Sequence, residues 1–240
     1  MSRELALIVG ASSDIGVALA RRLLDTTDVR ILAHHHQGAD RIPKHERIEL
    51  VSADFSSTAS VEDMAGRIVA GGGVPDQVVY LPGLKMRYER FSKFSLDHFD
   101  RDMHIQVRSA IALLKRLLPS MAKKPRAKVV FVLSSVTRGV PPKFTSMYAV
   151  VKQAQLGLMR ALAAEYAGTG LTINAVSPTM VDTRFLDDIP GLAKEMTASG
   201  APRGRLATTD DVVGPIQFLL SPESDFMTGV ELPVTGGQGF

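Results

Sequence analysis

The chain has 240 residues, 45% of them hydrophobic, which is enough for a large buried core within one α/β domain. It contains no cysteine, and this excludes disulfide bonds, a thiolate nucleophile and cysteine-ligated zinc. The net charge is +3 and the basic residues are scattered, a pattern that does not favour nucleic-acid binding.

The N-terminal apolar segment, Leu5–Val9, is too short for the hydrophobic region of a signal peptide or for a membrane span. A chain without cysteine also suits a reducing compartment. We therefore expect a cytoplasmic protein that makes no contact with a membrane.

Strand-like and helix-like segments alternate along the whole chain. Runs rich in Val, Ile and Leu predict buried strands at residues 5–9, 29–33, 48–51, 78–81, 129–133, 171–176 and 230–234. Amphipathic segments predict helices at residues 15–24, 61–69, 96–121, 148–167 and 210–220, and Ser60 and Thr208 are expected to be N-caps. This order predicts an α/β fold with a single domain over residues 1–240. The expected architecture is a Rossmann-type, doubly wound parallel sheet that binds ligands at the carboxyl ends of its strands.

Residues 179–207 interrupt this alternation and are rich in proline, glycine and charge. A long irregular segment at the edge of an otherwise regular domain often carries ligand specificity. We expect this segment to be a substrate loop.

A segment of small residues follows the first predicted strand and opens the first helix. It reads Gly10-Ala11-Ser12-Ser13-Asp14-Ile15-Gly16. Small side chains let backbone N–H groups approach a pyrophosphate, and the helix N-terminus adds partial positive charge. The segment predicts a dinucleotide phosphate loop with contacts from Gly10, Ser12, Ser13, Ile15 and Gly16.

Tyr148 and Lys152 are four residues apart on a predicted helix, so both project from the same face. A nearby ammonium favours the phenolate and is expected to lower the pKa of Tyr148 toward a useful range. Ser135, on the preceding loop, is placed to hold a substrate oxygen. The three residues predict a carbonyl-reducing site, although the pattern by itself also fits an ordinary helix beside a serine-rich turn.

With the phosphate loop, Ser135, Tyr148 and Lys152 make the chain resemble the classical short-chain dehydrogenase/reductase family over nearly its whole length. Residues 174–183 and 228–237 resemble the family's nicotinamide-flanking segment and its last strand with a glycine turn. The resemblance implies hydride transfer between a nicotinamide cofactor and a carbonyl or secondary alcohol. It implies nucleotide contacts from Tyr148 and Lys152, and from Asp54, Phe55, Leu81, Pro82, Gly83, Pro178, Val181 and Thr183.

The chain departs from the family pattern at three places. Asp14 replaces a loop glycine, and we expect its carboxylate to turn outward from the phosphates. Tyr80-Leu81-Pro82-Gly83 keeps the glycine of the usual Asn-Asn-Ala-Gly turn but lacks its amides. Gln106 stands where the family often has an asparagine that holds a water next to the lysine, so the resemblance implies that role for Gln106.

The residues after the second predicted strand are expected to decide the choice of cofactor. His34, His35 and His36 stand there instead of an acidic residue that would bind a ribose and reject a 2′-phosphate. Imidazole groups or Arg41 can donate to a phosphate, which favours NADP(H) over NAD(H). Consecutive histidines cannot all face one way, so we expect no metal site.

Within the family, the length and spacings look most like the bacterial 3-oxoacyl-[acyl-carrier-protein] reductases. Arg138 and Lys143 flank the active-site loop and would suit an acidic carrier protein. The alternatives are an enzyme for a free small ketone or alcohol in a specialised biosynthetic pathway, and a non-catalytic nucleotide-binding partner subunit.

The predicted helices at 96–121 and 148–167 carry more apolar residues than one buried stripe needs. In the family the corresponding helices pair across a two-fold axis, and residues 236–240 resemble a tail at a second interface. The resemblance therefore implies a homodimer or homotetramer.

Overall fold

The computed structural model describes residues 4–71 and 73–238. Seven strands form one parallel sheet in the order β3-β2-β1-β4-β5-β6-β7, which confirms the predicted fold class. The strands are β1 Leu5–Val9, β2 Arg30–His35, β3 Ile48–Ser52, β4 Gln77–Tyr80, β5 Ala127–Val132, β6 Leu171–Pro178 and β7 Glu231–Val234.

Helices cover both faces of the sheet because the strands are apolar on both sides. One face packs against helices that include α2 Thr58–Ala70, α4 Ser109–Met121 and α5 Ser146–Glu165. The other face packs against α1 Asp14–Thr26 and α7 Thr209–Leu220. The chain reverses its winding between β1 and β4, and the ligand site of such sheets lies beside that point.

The predicted helix at 96–121 is not continuous. It consists of α3 Leu96–Met103, a π-helical turn at His104–Arg108, and α4. The wider turn exposes backbone carbonyl groups that a regular helix would pair. The Ile105 carbonyl accepts from the Tyr80 hydroxyl at 2.7 Å, and the Gln106 carbonyl accepts from the Gln155 side chain at 2.9 Å. Two distant side chains therefore stabilise this turn.

One of the two predicted N-caps is confirmed. Thr208 forms a capping box with Asp211 at the start of α7. Ser60 is wrong as a cap, because Ser57 accepts from the Ser60 N–H and begins α2. The Ser60 hydroxyl instead accepts from the Asp54 N–H at 2.9 Å and closes the turn after β3.

Residues 179–207 are folded rather than irregular. They contain a short turn at Arg184–Leu186 and the helix α6 Gly191–Gly200. Val181 and Ala207 form a bridge that joins the two ends of the segment. Leu186 and Ile189 pack with Met86 in a small apolar cluster above the sheet. The segment therefore covers the carboxyl edge of the sheet.

The wide apolar surface expected on the long helix is smaller in the structure. Leu113, Leu114, Leu117 and Leu118 are buried in the chain's own core, whereas Ile111 is 46% exposed. Residues 239 and 240 of the tail lie outside the described residues. Within the described ranges, no helix is both long and apolar enough to cross a membrane.

Candidate active site

A cavity of about 570 Å³ lies at the carboxyl ends of the strands. Its size is typical of a pocket for a small organic ligand. The cavity extends from the loop after β1 to the start of α5 and is covered by the segment 179–187. Predicted site residues that line it are Ser13, Ile15, Leu81, Gly83, Ser135, Tyr148, Lys152, Pro178, Val181 and Thr183.

The loop after β1 has the close backbone approaches expected of a phosphate loop. Gly10 has φ +83°, a conformation that favours glycine. A Cβ on Gly16 would lie 2.6 Å from the Gly10 carbonyl oxygen, so only glycine fits there. The Ser13 hydroxyl accepts from the Gly16 N–H at 3.1 Å and caps α1. Ser13, Asp14 and Ile15 at the start of α1 line the cavity.

The Asp14 carboxylate is held by two arginines. It forms an ion pair with Arg41 and accepts from the Arg184 N–H at 2.8 Å and from Arg184 Nε at 3.3 Å. Both arginines also donate to the Ser12 carbonyl. Asp14 therefore joins the phosphate loop to the substrate-side segment and balances two cations, which offsets its own repulsion of an anion.

Ser135, Tyr148 and Lys152 all line the cavity. Tyr148 and Lys152 share a face of α5, and the Lys152 ammonium lies 5.8 Å from the centre of the Tyr148 ring. Ser135 begins a short turn after β5 and is half-buried at the cavity wall. The geometry suits a carbonyl oxygen held between a serine and a phenol, and the catalytic roles stay predictions.

Burial has the largest influence on Tyr148. The ring keeps part of its surface open to the cavity, but the surrounding protein raises the pKa of the phenol to about 12. The nearby Ser134 hydroxyl opposes this shift, and the charge of Asp102 adds to it. The expectation that Lys152 brings the Tyr148 pKa down is therefore wrong for the ligand-free protein. Tyr148 is a protonated acid at neutral pH.

Lys152 is 4% exposed, and this burial lowers its pKa to about 8. The charge of Asp102 opposes the shift. Lys152 Nζ donates to the Val132 carbonyl at 3.3 Å and to Gln155 Oε1 at 3.0 Å. The ammonium is thus oriented by groups from β5 and from its own helix.

The Gln106 side chain bonds to Asp102, and its expected role of holding a water next to Lys152 stays a prediction. It is fully buried, and its Nε2 donates to Asp102 Oδ1 at 2.5 Å while its Oε1 has no partner. The amide next to Lys152 belongs to Gln155. Within the π turn, the Gln106 carbonyl, and not its side chain, accepts from Gln155.

Sequence reasoning missed four residues at this site: Ser134, Asp102, Gln155 and Arg184. Ser134 is 8% exposed and lies beside Tyr148, one position before the expected serine. The pair of consecutive serines was the available signal. Asp102 precedes Gln106 by one helical turn, and a carboxylate on a buried helix face was a signal for that residue.

His34 is buried and unavailable to a phosphate, so the expected contact from its side chain is wrong. Its Nδ1 accepts from the Gly10 N–H at 3.1 Å, which makes Nε2 the donor to the Ala53 carbonyl at 3.1 Å. Its ring lies 4.2 Å from that of Phe55. Desolvation lowers the His34 pKa to about 4. The neutral ring therefore anchors the phosphate loop to β2 and β3.

We expect this histidine to make stability depend on pH. The unfolded chain protonates a histidine near pH 6.5 and the folded chain only near pH 4, so the unfolded state binds more protons between these values. From pH 6.5 to 4, the free energy of unfolding should fall by up to about 3 kcal/mol more than in a His34→Gln variant. Urea unfolding of both proteins across this range measures the difference, and parallel pH curves would contradict a neutral buried His34.

The remaining predicted nucleotide contacts are not among the residues that line the cavity. The Phe55 side chain is 4% exposed and packs in the core, and a nucleotide contact from this residue stays a prediction. Asp54 accepts from the Ser56 N–H and hydroxyl, and these bonds lower its pKa. His35 Nδ1 is buried without a partner at the end of β2. Pro82 follows β4, where Leu81 packs beside Gly10.

Comparison with known proteins assigns this arrangement to a family. A family model described as enoyl-(acyl carrier protein) reductase matches residues 10–238. The 4-formylbenzenesulfonate dehydrogenase of Comamonas testosteroni is 30% identical over 99% of this chain and 98% of that protein. The chain belongs to the classical short-chain dehydrogenase/reductase family. It is an oxidoreductase that acts on alcohol or carbonyl groups.

Other relatives in this family differ in their substrates. The acetoacetyl-CoA reductase of Allochromatium vinosum is 27% identical over 98% of each chain. A solved 3-ketoacyl-(acyl-carrier-protein) reductase from Brucella melitensis, complexed with NADH, superimposes with a TM-score of 0.87. It is 24% identical and covers 99% of this chain and 98% of that one, a likeness that shows the fold.

The observed site fits the nicotinamide nucleotide that this family binds. The glycine cradle, the N-terminus of α1 and the Tyr148–Lys152 pair line or border one continuous cavity. Ser13 and Ile15 would lie against the phosphates, and Lys152 would lie near a ribose. Leu81, Gly83, Pro178, Val181 and Thr183 would border the rest of the nucleotide.

Proposed function

We propose that this protein is an NADPH-dependent ketoreductase whose substrate is a 3-oxoacyl thioester carried on an acyl carrier protein. The observation that carries the proposal is the meeting of Ser135, Tyr148 and Lys152 in one cavity with the phosphate loop. The acetoacetyl-CoA reductase among the relatives supports a thioester substrate.

Ser135, Tyr148 and Lys152 have different roles at the carbonyl oxygen of the substrate. A bound nicotinamide supplies the hydride chemistry. Ser135 donates a hydrogen bond that orients the oxygen, and Tyr148 donates a proton as negative charge develops there, which stabilises the transition state. A phenol with a pKa of about 12 is fully protonated at neutral pH, and this state supports the reductive direction. Lys152 holds positive charge beside the phenol and the ribose.

Arg41 supports the preference for NADP(H). Its guanidinium lies at the phosphate loop, bound to Asp14 and to the Ser12 carbonyl, and its side chain is 29% exposed. No acidic residue stands among positions 34–36 at the end of β2. A 2′-phosphate would therefore meet a cation that is already held in place.

Replacing Arg41 by alanine should weaken NADPH binding by about 10-fold and leave NADH binding within about twofold, because only NADPH carries the extra phosphate. Titration of nucleotide fluorescence with the purified protein measures both affinities. Arg21→Ala, which removes an exposed arginine on α1, is the control. Equal loss of both affinities would contradict a role in choosing the nucleotide.

A substrate panel tests the function directly. The wild-type protein is assayed with NADPH and NADH against acetoacetyl-CoA, acetoacetyl acyl carrier protein, crotonyl-CoA and cyclohexanone. We expect the fastest oxidation of NADPH with the carrier-bound 3-oxo thioester, since Arg138 lines the exposed mouth of the cavity and suits an acidic carrier. Turnover of crotonyl-CoA alone would indicate an enoyl reductase. Nucleotide binding without any turnover would indicate a non-catalytic subunit.

A free small ketone or alcohol is the second candidate. Aromatic rings line the cavity near the phenol, with Phe185 at 6.2 Å from the Tyr148 ring and Tyr88 nearby. The cis-4-hydroxycyclohexanecarboxylate dehydrogenase of Sinomonas cyclohexanicum, 28% identical over 98% of this chain and 96% of that protein, supports this candidate. Faster turnover of cyclohexanone than of either thioester would favour it.

We also propose that the chain forms a homodimer or a homotetramer. The exposed apolar surface that supports this proposal is smaller than the sequence predicted. Ile111 on α4 and Val150 on α5 are each 46% exposed, and they leave apolar surface on these helices. Burial of this surface between copies would explain it. Light scattering at micromolar concentration measures the mass, and a value near the 25.9 kDa of one chain would contradict the proposal.

A further inference from the structure

The side-chain amide of Gln155 contacts the Lys152 ammonium on its inner side. Gln155 is fully buried, its Oε1 accepts from Lys152 Nζ at 3.0 Å, and its Nε2 donates to the Gln106 carbonyl at 2.9 Å. A neutral amide fixes direction in a hydrogen-bond network but has no proton that titrates near neutral pH. A route that carries protons inward from Lys152 therefore ends at Gln155.

A second, smaller cavity lies against another side of Tyr148. Its volume is about 40 Å³, which is room for one water molecule. It is bordered by Tyr148 of α5 and by Asp102 and His98 of α3, and its apolar walls include Met86 and Phe99. Tyr148 and Asp102 both line this cavity, and Lys152 is not among its lining residues.

Asp102 is a carboxylate in an unusual place. It is 7% exposed, and burying a carboxylate is unfavourable unless other groups stabilise it. Its Oδ1 accepts from Gln106 Nε2 at 2.5 Å and from the Leu84 N–H at 3.4 Å. Gln106 thus holds Asp102 in position, and this contact gives the glutamine a function.

The charge of Asp102 already acts on the reaction site. It adds to the burial that raises the Tyr148 pKa, and it opposes the burial that lowers the Lys152 pKa. The other titratable and charged groups that border the small cavity are His98 on α3 and Lys85, Arg87 and Glu89 on the chain after β4. The Lys85 and Arg87 side chains are each 50% exposed and that of Glu89 is 37% exposed, so this side of the cavity leads to solvent.

We propose that Asp102 relays protons between solvent and Tyr148 through water in the small cavity. The inference rests on the proposed reductase function. When Tyr148 gives its proton to the substrate oxygen, its O–H bond breaks and a phenolate remains. Solvent protonates the Asp102 carboxylate on the side of His98, Asp102 passes that proton to water in the cavity, and the water gives a proton to the phenolate, which restores both the carboxylate and the phenol. No charge accumulates over the cycle.

The test compares Asp102→Asn with wild type, using the fastest substrate of the panel with NADPH. Asparagine keeps an oxygen that accepts from Gln106 but cannot carry a proton. We expect kcat to fall about 10- to 100-fold with NADPH affinity unchanged. The solvent isotope effect on kcat should rise, and added imidazole should restore part of the rate. Asp100→Asn, an exposed carboxylate on the same helix, should match wild type.

Three outcomes would overturn the relay. One is an unchanged kcat, and another is a slower enzyme whose solvent isotope effect does not rise and which imidazole does not rescue. The last is a shift of the pH–rate profile alone, which would mean that Asp102 acts only through its charge. A wild-type protein that reduces no carbonyl would refute the proposed function instead.

A second variant keeps the test informative if Asp102→Asn does not fold. The double variant D102L/Q106L replaces the buried polar pair by apolar residues, a change that proteins often tolerate. It should show the same loss of kcat with NADPH affinity retained. Turnover at the wild-type rate in this variant would overturn the relay.

Discussion

Tyr148→Phe is expected to lower the rate of carbonyl reduction by at least ~10²-fold, with nucleotide affinity and thermal stability nearly unchanged. The variant keeps the ring that packs against Phe185 but removes the only proton that the phenol can give. Steady-state assays of the panel substrates with NADPH measure the loss. Because the Tyr148 pKa is about 12, the loss should be the same from pH 6 to pH 8.

Tyr166→Phe provides the matched control, since Tyr166 lies at the C-terminal end of the same helix. It should retain the wild-type rate. Turnover of Tyr148→Phe within a few-fold of wild type would refute the phenol as the proton donor. The proton would then have to come from Ser134, Ser135 or water.

Lys152→Met is expected to reduce NADPH affinity about 10-fold and the rate of reduction at least ~10²-fold, because the ammonium serves both the ribose and the phenol. Nucleotide titration and steady-state assays measure the two effects separately. Lys115→Met, at an exposed position on α4, is the control. A change in only one of the two parameters would show that Lys152 has a single role.

The same variant should change how stability depends on pH. The Lys152 pKa is about 8 in the folded protein, whereas an unperturbed lysine has a pKa of 10.5. Between pH 8 and pH 10.5 the unfolded chain therefore binds more protons than the folded protein. Wild-type stability should rise by up to about 3 kcal/mol relative to Lys152→Met as pH increases from 8 to 10.5. Urea unfolding across this range measures the difference. If the stability of the two proteins changed with pH in parallel, the lowered pKa of the buried Lys152 ammonium would be contradicted.

The main elements of the fold could be predicted from the sequence because their signals are local. Each strand is a short apolar run of residues that are neighbours along the chain, and β1 was predicted with its exact bounds. The Tyr148–Lys152 pair depends only on the repeat of one helix. The phosphate loop depends on small residues in a row between a strand and a helix. Nothing distant in the chain is needed for these predictions.

The hydrogen-bond partners of the candidate site could not be predicted from local sequence patterns. Asp14 pairs with Arg184 from a distant loop, and Gln155 bonds to the Gln106 carbonyl only because a π turn replaces a regular helical turn. That turn is stabilised in part by Tyr80 from a neighbouring strand. A local helical pattern contains no information about such a partner, so residues 96–121 were predicted as one helix.

Charge states show the same division between sequence and tertiary structure. The sequence by itself determined which residue types meet: a phenol, an ammonium, serines and a glycine-rich loop on a parallel sheet. Burial decided how they behave, since it keeps His34 neutral and raises the pKa of Tyr148 despite the adjacent lysine. Desolvation depends on every atom that surrounds a group, and those atoms come from elements far apart in the chain. Only the tertiary structure could therefore place Asp102 behind the phenol and leave His34 inaccessible to a phosphate.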